Sequence, residues 1–208
     1  MVRDGKSITA SAQQSEKFDV IIVGAGISGI GSATFLRKHC PHLSFAILEA
    51  LEGHGGTWLI HKYPGTRSDS DLFTFGYGFK PWTGQPIASR DQILDYLGDA
   101  IADAGLGPFI RYGHSVTSAN WSNETASWQL TVERKGADDV VQMEASFLWM
   151  CQGYYRHEKG YTPQWPGMDR FKGQVIHPQH WPEDVDLAGK NVTVIGSGAT
   201  AATLIPAL

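Results

Sequence analysis

Cysteine is nearly absent from the chain: only Cys40 and Cys151 occur in 208 residues, far apart and in no C-x-x-C arrangement. This excludes a disulfide scaffold and a dithiol redox centre such as a disulfide reductase carries, and makes a reducing compartment, the cytoplasm, the expected location. Charge is also sparse, with 18% Asp, Glu, Lys and Arg and a net charge of −4, and no run of Lys and Arg exceeds two residues, as at Arg37-Lys38. Nucleic acid is therefore no expected partner, because binding it needs Lys and Arg clustered against phosphates. No apolar run approaches the roughly 20 residues that cross a bilayer, so no integral membrane segment is expected. Two sequons, Asn123-Glu-Thr125 and Asn191-Val-Thr193, follow no signal peptide and are read as chance matches. No metal is expected.

Glycine, by contrast, is plentiful at 24 of 208 residues, against a usual share of roughly 7%. Much of the excess falls in turns that could face phosphates. Residues 1–17 are polar and aperiodic and read as a flexible arm. Phe18-Asp-Val-Ile-Ile-Val23 is a β-branched run of the kind buried on both faces of a parallel sheet. Ile27 to about His39 has helical spacing and stops at Cys40-Pro41, and Leu43–Leu48 forms the next strand, closed by Glu49. From about 50 to 90, Gly, Pro, Trp and Tyr without a period predict a long loop region, where a site is expected. A helix from Ile93 to about Ala104 and strands near 110–121, 127–134 and 139–150 complete the first unit, the strands reading as a β-meander. Asn191-Val-Thr-Val-Ile195 repeats the first strand's pattern and starts a second βαβ unit, which Leu208 cuts off within its first helix.

The first glycine turn, Gly24-Ala-Gly26-Ile-Ser28-Gly29, follows a buried strand, opens a helix and has an acid twenty positions on, at Glu49. In that context Gly24 permits the tight turn, Gly26 lets the backbone approach a pyrophosphate, and Gly29 lets helix and strand close up. Glu49 would accept hydrogen bonds from a ribose, and the helix N-terminus would face the phosphate charge. The bland reading is a structural glycine turn. At the second turn, Gly196-Ser197-Gly198-Ala199-Thr200-Ala201, alanine replaces the last glycine, and the residue that separates NADH from NADPH should lie about twenty positions on, past Leu208. Gly55-Gly56-Thr57-Trp58 would let the main chain approach a planar ring with Trp58 over it, or is a surface loop anchored by a tryptophan. Asp69 is a site acid or a turn cap. His177 and Trp181, in Phe171-Lys-Gly173-Gln-Val-Ile-His177-Pro-Gln-His-Trp181-Pro182, are functional or simply packed in a linker.

In order along the chain, these motifs, with Tyr63-Pro64-Gly65-Thr-Arg67-Ser68-Asp69-Ser-Asp71 and Cys151-Gln-Gly153-Tyr154-Tyr155, resemble the type I Baeyer–Villiger monooxygenases, nearest the ethionamide-activating branch, from Phe18 to Leu208. The F-x-G-x-x-x-H-x-x-x-W-P run is similar to that family's fingerprint, whereas the related N- and S-oxygenating enzymes typically end it in Tyr or Phe. The resemblance implies an α/β flavoprotein with two dinucleotide-binding domains. An FAD domain with a β-meander would span 18–155, a linker 156–189, and the truncated start of a Rossmann-like NADPH domain 190–208. It implies NADPH reduction of the flavin, O2 addition to a C4a-peroxyflavin sheltered by NADP⁺, and oxidation of a ketone to an ester or lactone. Gly24, Gly26, Ser28, Gly29, Glu49, Thr57, Trp58, Asp69 and, through its backbone, Val116 would hold FAD. Arg67, Ser68 and Asp69 would face the nicotinamide end, Gly196 to Ala201 would hold its pyrophosphate, and His177 and Trp181 would act in the hinge of the catalytic cycle. The arginine that supports the peroxyflavin would lie past Leu208, so the chain is expected to be an incomplete N-terminal part. Oxidation of a thioether or amine, and a non-catalytic FAD-binding fragment, are the alternatives.

Overall fold

In the computed structural model, which describes residues 15–137 and 140–208, a single six-stranded sheet with strands between Glu16 and Met150 organises the first unit. β1 (Glu16–Val23) leads into α1 (Ile27–His39), and β2 (Phe45–Leu48) returns parallel to β1, with Val20 opposite Phe45 and Val23 opposite Leu48. Val20–Ile22 of β1 and all of β2 are apolar and buried on both faces, as strands inside a parallel sheet require. After α2 (Thr57–Ile60), α3 (Leu72–Phe75) and α4 (Arg90–Asp103), a two-residue β3 (Ile110–Arg111) pairs with β2. β4 (His114–Ser122), β5 (Ser127–Arg134) and β6 (Val140–Met150) form the antiparallel meander. β6 also lies parallel to β1, so the order across the sheet is β3-β2-β1-β6-β5-β4. Chain order therefore reverses at β1, whose carboxyl end is where ligands bind in open α/β sheets.

Alternation along each strand divides the core in two. Val20, Ile22, Phe45 and Ile47 face α1 and α4 and pack with Ile30, Ile93 and Leu97. Ile21, Ala46 and Leu48 face the other way, onto Leu130, Val132 and Met143 of the meander. Burying each of these large side chains contributes about 1.5–3 kcal/mol. α4 starts at a capping box, in which the Ser89 hydroxyl accepts from Gln92 N and the Gln92 side chain accepts from Ser89 N.

Several elements differ from the sequence reading. β1 begins at Glu16, where Glu16 and Lys17 pair with Met143 and Glu144, so part of the expected arm is strand; residues 1–14 lie outside the described residues. The single strand expected near 110–121 is two, because Gly113 turns the chain at φ +65° and separates β3, on the far side of β2, from the meander. Two one-turn helices, α2 and α3, interrupt the loop expected from 50 to 90. The strand expected at Asn191–Ile195 does not form. A strand needs a ladder partner for its N–H and C=O groups, and among the described residues none lies beside this segment, which leaves Ile195 72% exposed. The helix after it does form, as α5 (Ala199–Leu204).

Candidate functional site

The first glycine turn occupies the carboxyl end of β1. Gly24 sits at φ +103°, and a Cβ there would stand 2.5 Å from the Cys151 carbonyl oxygen; a Cβ on Gly29 would stand 1.9 Å from the Gly24 oxygen. Both glycines are thus required by the protein's own packing. Cys151, just past β6, closes the turn from behind: its N–H donates to Val23 O at 2.8 Å, and burial pushes its thiol pKa up. Gly26 differs. A Cβ at this position would meet only the Cα of Gly56, 4.0 Å away, and in the other direction a Cβ on Gly56 would stand 3.6 Å from the Cα of Gly26. Gly55 donates to Ala25 O at 3.0 Å and holds the second glycine pair against the first. Two side-chain-free backbones therefore face each other here: Gly56 is held to glycine by its own φ of +54°, but nothing in the fold requires glycine at Gly26, and the open backbone cradle beside it suits a pyrophosphate or another thin anion.

Glu49 lies beside this cradle, 6% exposed. Its Oε2 accepts from Ala25 N at 2.7 Å and its Oε1 from Leu51 N at 2.8 Å, while its own backbone bonds Arg111 O and His114 N. The carboxylate is fixed in place with one further acceptor position on each oxygen, enough for a pair of ribose hydroxyls. Tyr112 stands near it, its phenol pKa raised by burial first and by the Glu49 charge second. Thr57 opens α2 directly after Gly56, and Trp58 packs edge-on against Phe75, 6.2 Å between ring centroids. Val116 sits where the β4–β5 register shifts before Ser118, so a bulge loosens its backbone pairing.

The remaining candidates separate into groups. Arg67 and Asp69 are exposed, whereas Ser68 is buried, its N–H on Ala88 O and its hydroxyl exchanging hydrogen bonds with Ser70 N and O. Ser28 lines a separate open depression of about 420 Å³ with Phe35, Tyr77 and Trp149. Asp71, outside the expected site, is the residue that caps α3, accepting from Thr74 N at 2.9 Å. Trp181 is half-buried at the end of a short 3-10 turn formed by Pro178–His180.

His177 is brought to the second glycine turn. A cavity of about 220 Å³ is lined by His61, His177, Gln179, Gly196, Gly198 and Thr200, among others. The Nδ1 of His177 accepts from Gln179 N at 3.2 Å, which assigns the proton of the neutral ring to Nε2. Gly160 lies so close to this ring that a Cβ there would stand 2.2 Å from it. Under the cavity, α5 rests on the Tyr63-Pro64-Gly65 turn: Thr203 Oγ1 is 3.4 Å from the Tyr63 hydroxyl, and a Cβ on Gly65 would stand 2.3 Å from Thr203 O. Sequence reasoning missed His61 and Gln179. The only available signal was that His61 lies between the Gly55-Gly56-Thr57-Trp58 and Tyr63-Pro64-Gly65 motifs. The His61 pKa is lowered by burial and then by repulsion from His157, His177 and His180. Among the described residues no group of three or more His, Cys, Asp and Glu could hold a metal ion, and no helix is long and apolar enough to cross a membrane.

Residues 86–207 match the family of flavin-binding monooxygenase-like proteins, and residues 22–97 match the NAD(P)-binding Rossmann-like domain. The FAD-containing monooxygenase EthA of Mycolicibacterium smegmatis is 53% identical over 195 residues, which are 93% of this chain and 39% of that protein. Among solved structures, ε-caprolactone-bound cyclohexanone monooxygenase superposes with a TM-score of 0.80 at 30% identity, covering 93% of this chain and 38% of the other. Oxidised steroid monooxygenase bound to NADP superposes with a TM-score of 0.76 at 33% identity, covering 91% and 36%. The chain thus spans about two fifths of the length of the relatives it matches.

Proposed function

The chain belongs to the flavin-binding monooxygenase-like family, and on that premise we propose that it is the cofactor-binding portion of an FAD- and NADPH-dependent Baeyer–Villiger monooxygenase. The reaction consumes a ketone, O2, NADPH and a proton and yields an ester or lactone, NADP⁺ and water. The observation that carries this reading is the Gly26–Gly56 cradle beside the fixed carboxylate of Glu49. When bound, the nicotinamide supplies hydride and the flavin supplies the oxygen-activating chemistry.

The chain's own residues bind and orient. Gly26 and Gly56 admit the FAD pyrophosphate, Glu49 accepts from the adenosine ribose, and Gly24 and Gly29 keep the turn closed. Thr57, Trp58, Ser28 and the Val116 backbone supply further FAD contacts. Arg67 and Asp69, exposed at the rim, face the nicotinamide end, with Ser68 shaping that loop from within. Gly196 to Ala201 hold the NADPH pyrophosphate, with His177 and Trp181 in the hinge that positions it. This reading assigns 18–155 to the FAD domain, 156–189 to the linker and 190–208 to the start of the NADPH domain. Its place is the reducing cytoplasm, with Cys40 and Cys151 as free thiols.

The test is the absorption spectrum of the protein reconstituted with FAD, followed by NADPH addition in air with a cyclic ketone or a thioether as substrate. Bound flavin and lactone formation support the proposal. Sulfoxide without lactone replaces it with heteroatom oxygenation, and failure to bind FAD overturns it.

A further inference from the structure

Four imidazoles, those of His61, His157, His177 and His180, gather around the second glycine turn. His61 and His177 line the cavity itself. His177 and His180 stand 6.2 Å apart between ring centroids, and Tyr155 bridges the others, 6.3 Å from His61 and 6.4 Å from His157. The groups facing His61 are these three histidines from the linker, Tyr63 on its own segment at 6.1 Å, and Tyr155 after β6. The adjacent Lys62 is paired with Glu183 at 3.5 Å, both largely in solvent. Among the described residues no carboxylate forms an ion pair with any of the four imidazoles, and the Nδ1 of His157 is buried without a hydrogen-bond partner. Positive charge that would develop on these imidazoles therefore has no ion-pair partner among the described residues; the acid that acts on this cluster is Asp69, and it acts on Tyr155.

We propose that His61 and His177 form the imidazole walls of an anion site, and that a phosphate group of the second cofactor entering this cavity draws a proton onto His61. This inference rests on the assignment of the second glycine turn to a dinucleotide. An anion supplies the missing counter-charge, so the cationic form disfavoured in the free protein is favoured in the complex. The sign follows. The His61 pKa lies below its usual value in the free protein and rises on binding, so binding takes up a proton at pH values between the two, and affinity falls as pH rises through that window. His177 presents Nε2–H to the cavity as a donor through its bond from Gln179.

The experiment is calorimetric titration of the FAD-loaded protein with NADP⁺, and separately with inorganic pyrophosphate, in buffers of different ionisation enthalpy from about pH 6 to about pH 8, the range in which histidine changes charge. For the wild type, proton uptake on binding is expected, with Kd weakening by up to about tenfold per pH unit for each proton. His61→Gln should lose up to one proton of uptake and flatten the profile, with affinity at the high-pH end within about twofold of wild type. His61→Lys, a fixed cation, should also lose the uptake but gain affinity at high pH. The ligand's own ionisation cancels in each comparison with wild type. Equal proton uptake in wild type and His61→Gln overturns the inference and leaves the dinucleotide assignment standing. Binding of pyrophosphate with His61-dependent uptake, but no binding of NADP⁺, supports the anion site and overturns that assignment. Failure of both ligands to bind at any pH overturns both.

Discussion

Gly26→Ala separates what the fold needs from what the ligand needs. The added methyl would have its nearest neighbour, the Gly56 Cα, at 4.0 Å, an ordinary van der Waals distance. Gly26 caps α1 with φ −80° and ψ −171°, an extended conformation open to alanine. Alanine is a poorer N-cap than glycine by a fraction of a kcal/mol, while its smaller unfolded-state entropy returns about 0.4–1 kcal/mol. The stability of the FAD-free protein should therefore change by less than about 1 kcal/mol, or roughly 2–4 °C in Tm for a chain of this size. Gly24→Ala and Gly29→Ala should instead destabilise by about 3 kcal/mol or more, since their new Cβ atoms would lie 2.5 Å and 1.9 Å from carbonyl oxygens. The same Gly26 methyl would occupy the space assigned to the FAD pyrophosphate, and FAD affinity should fall by about a hundredfold or more, roughly 2.7 kcal/mol. Thermal melts of the apo-protein and quenching of FAD fluorescence measure the two effects independently. Retention of wild-type FAD affinity in Gly26→Ala, or collapse of its apo stability, would refute the reasoning.

Glu49→Gln should weaken FAD retention less than Glu49→Ala. The amide keeps one acceptor oxygen for the Ala25 or Leu51 N–H, whereas alanine leaves both unpaired, at about 1–3 kcal/mol for the buried Ala25 donor and less for the partly buried Leu51 one; flavin content after purification and apo Tm together check this. Gly65→Ala should dislodge α5, because its Cβ would stand 2.3 Å from Thr203 O and 2.8 Å from Ala207 Cβ at φ +76°, and amide exchange in 199–204 should speed up while β1 and β2 stay protected. Glu16 accepts a hydrogen bond from Arg111 at 2.7 Å, which holds its carboxyl pKa below the ordinary value of 4.5. That stabilisation is present above pH 4.5 and fades as pH falls through the lower folded value. The urea-midpoint gap between wild type and Arg111→Gln should accordingly narrow in acid, leaving the pH-independent loss of the Arg111 guanidinium over the Phe18 ring, now 5.1 Å from its centroid.

Features set by local chemistry were legible in the sequence. The β-branched run before Gly24, the helix from Ile27 to His39 ending before Pro41, and β5 at 127–134 all have their cause within a few residues. Features set by distant partners were not. Glu16 and Lys17 look like arm until Met143 and Glu144 pair with them and Lys17 meets Glu144 at 3.0 Å. Asn191–Ile195 has the composition of a strand but, among the described residues, no strand beside it to bond. His61 carries no motif of its own and becomes a site candidate only when the linker folds His177 beside it.

The first glycine turn makes the same point at the level of single residues. In the sequence Gly24, Gly26 and Gly29 are equivalent members of one motif. The fold divides them: Gly24 and Gly29 are fixed by contacts that any side chain would break, and Gly26 is not. A glycine whose Cβ would fit its own protein, yet which faces another glycine across the mouth of the turn, is better accounted for by something that must approach the backbone than by the turn itself. Glu49 is divided in the same way, since each of its oxygens satisfies one backbone N–H and retains one acceptor position that no other described residue fills. The case for a dinucleotide here therefore rests on capacity in excess of what folding consumes, more than on the spacing of the motif.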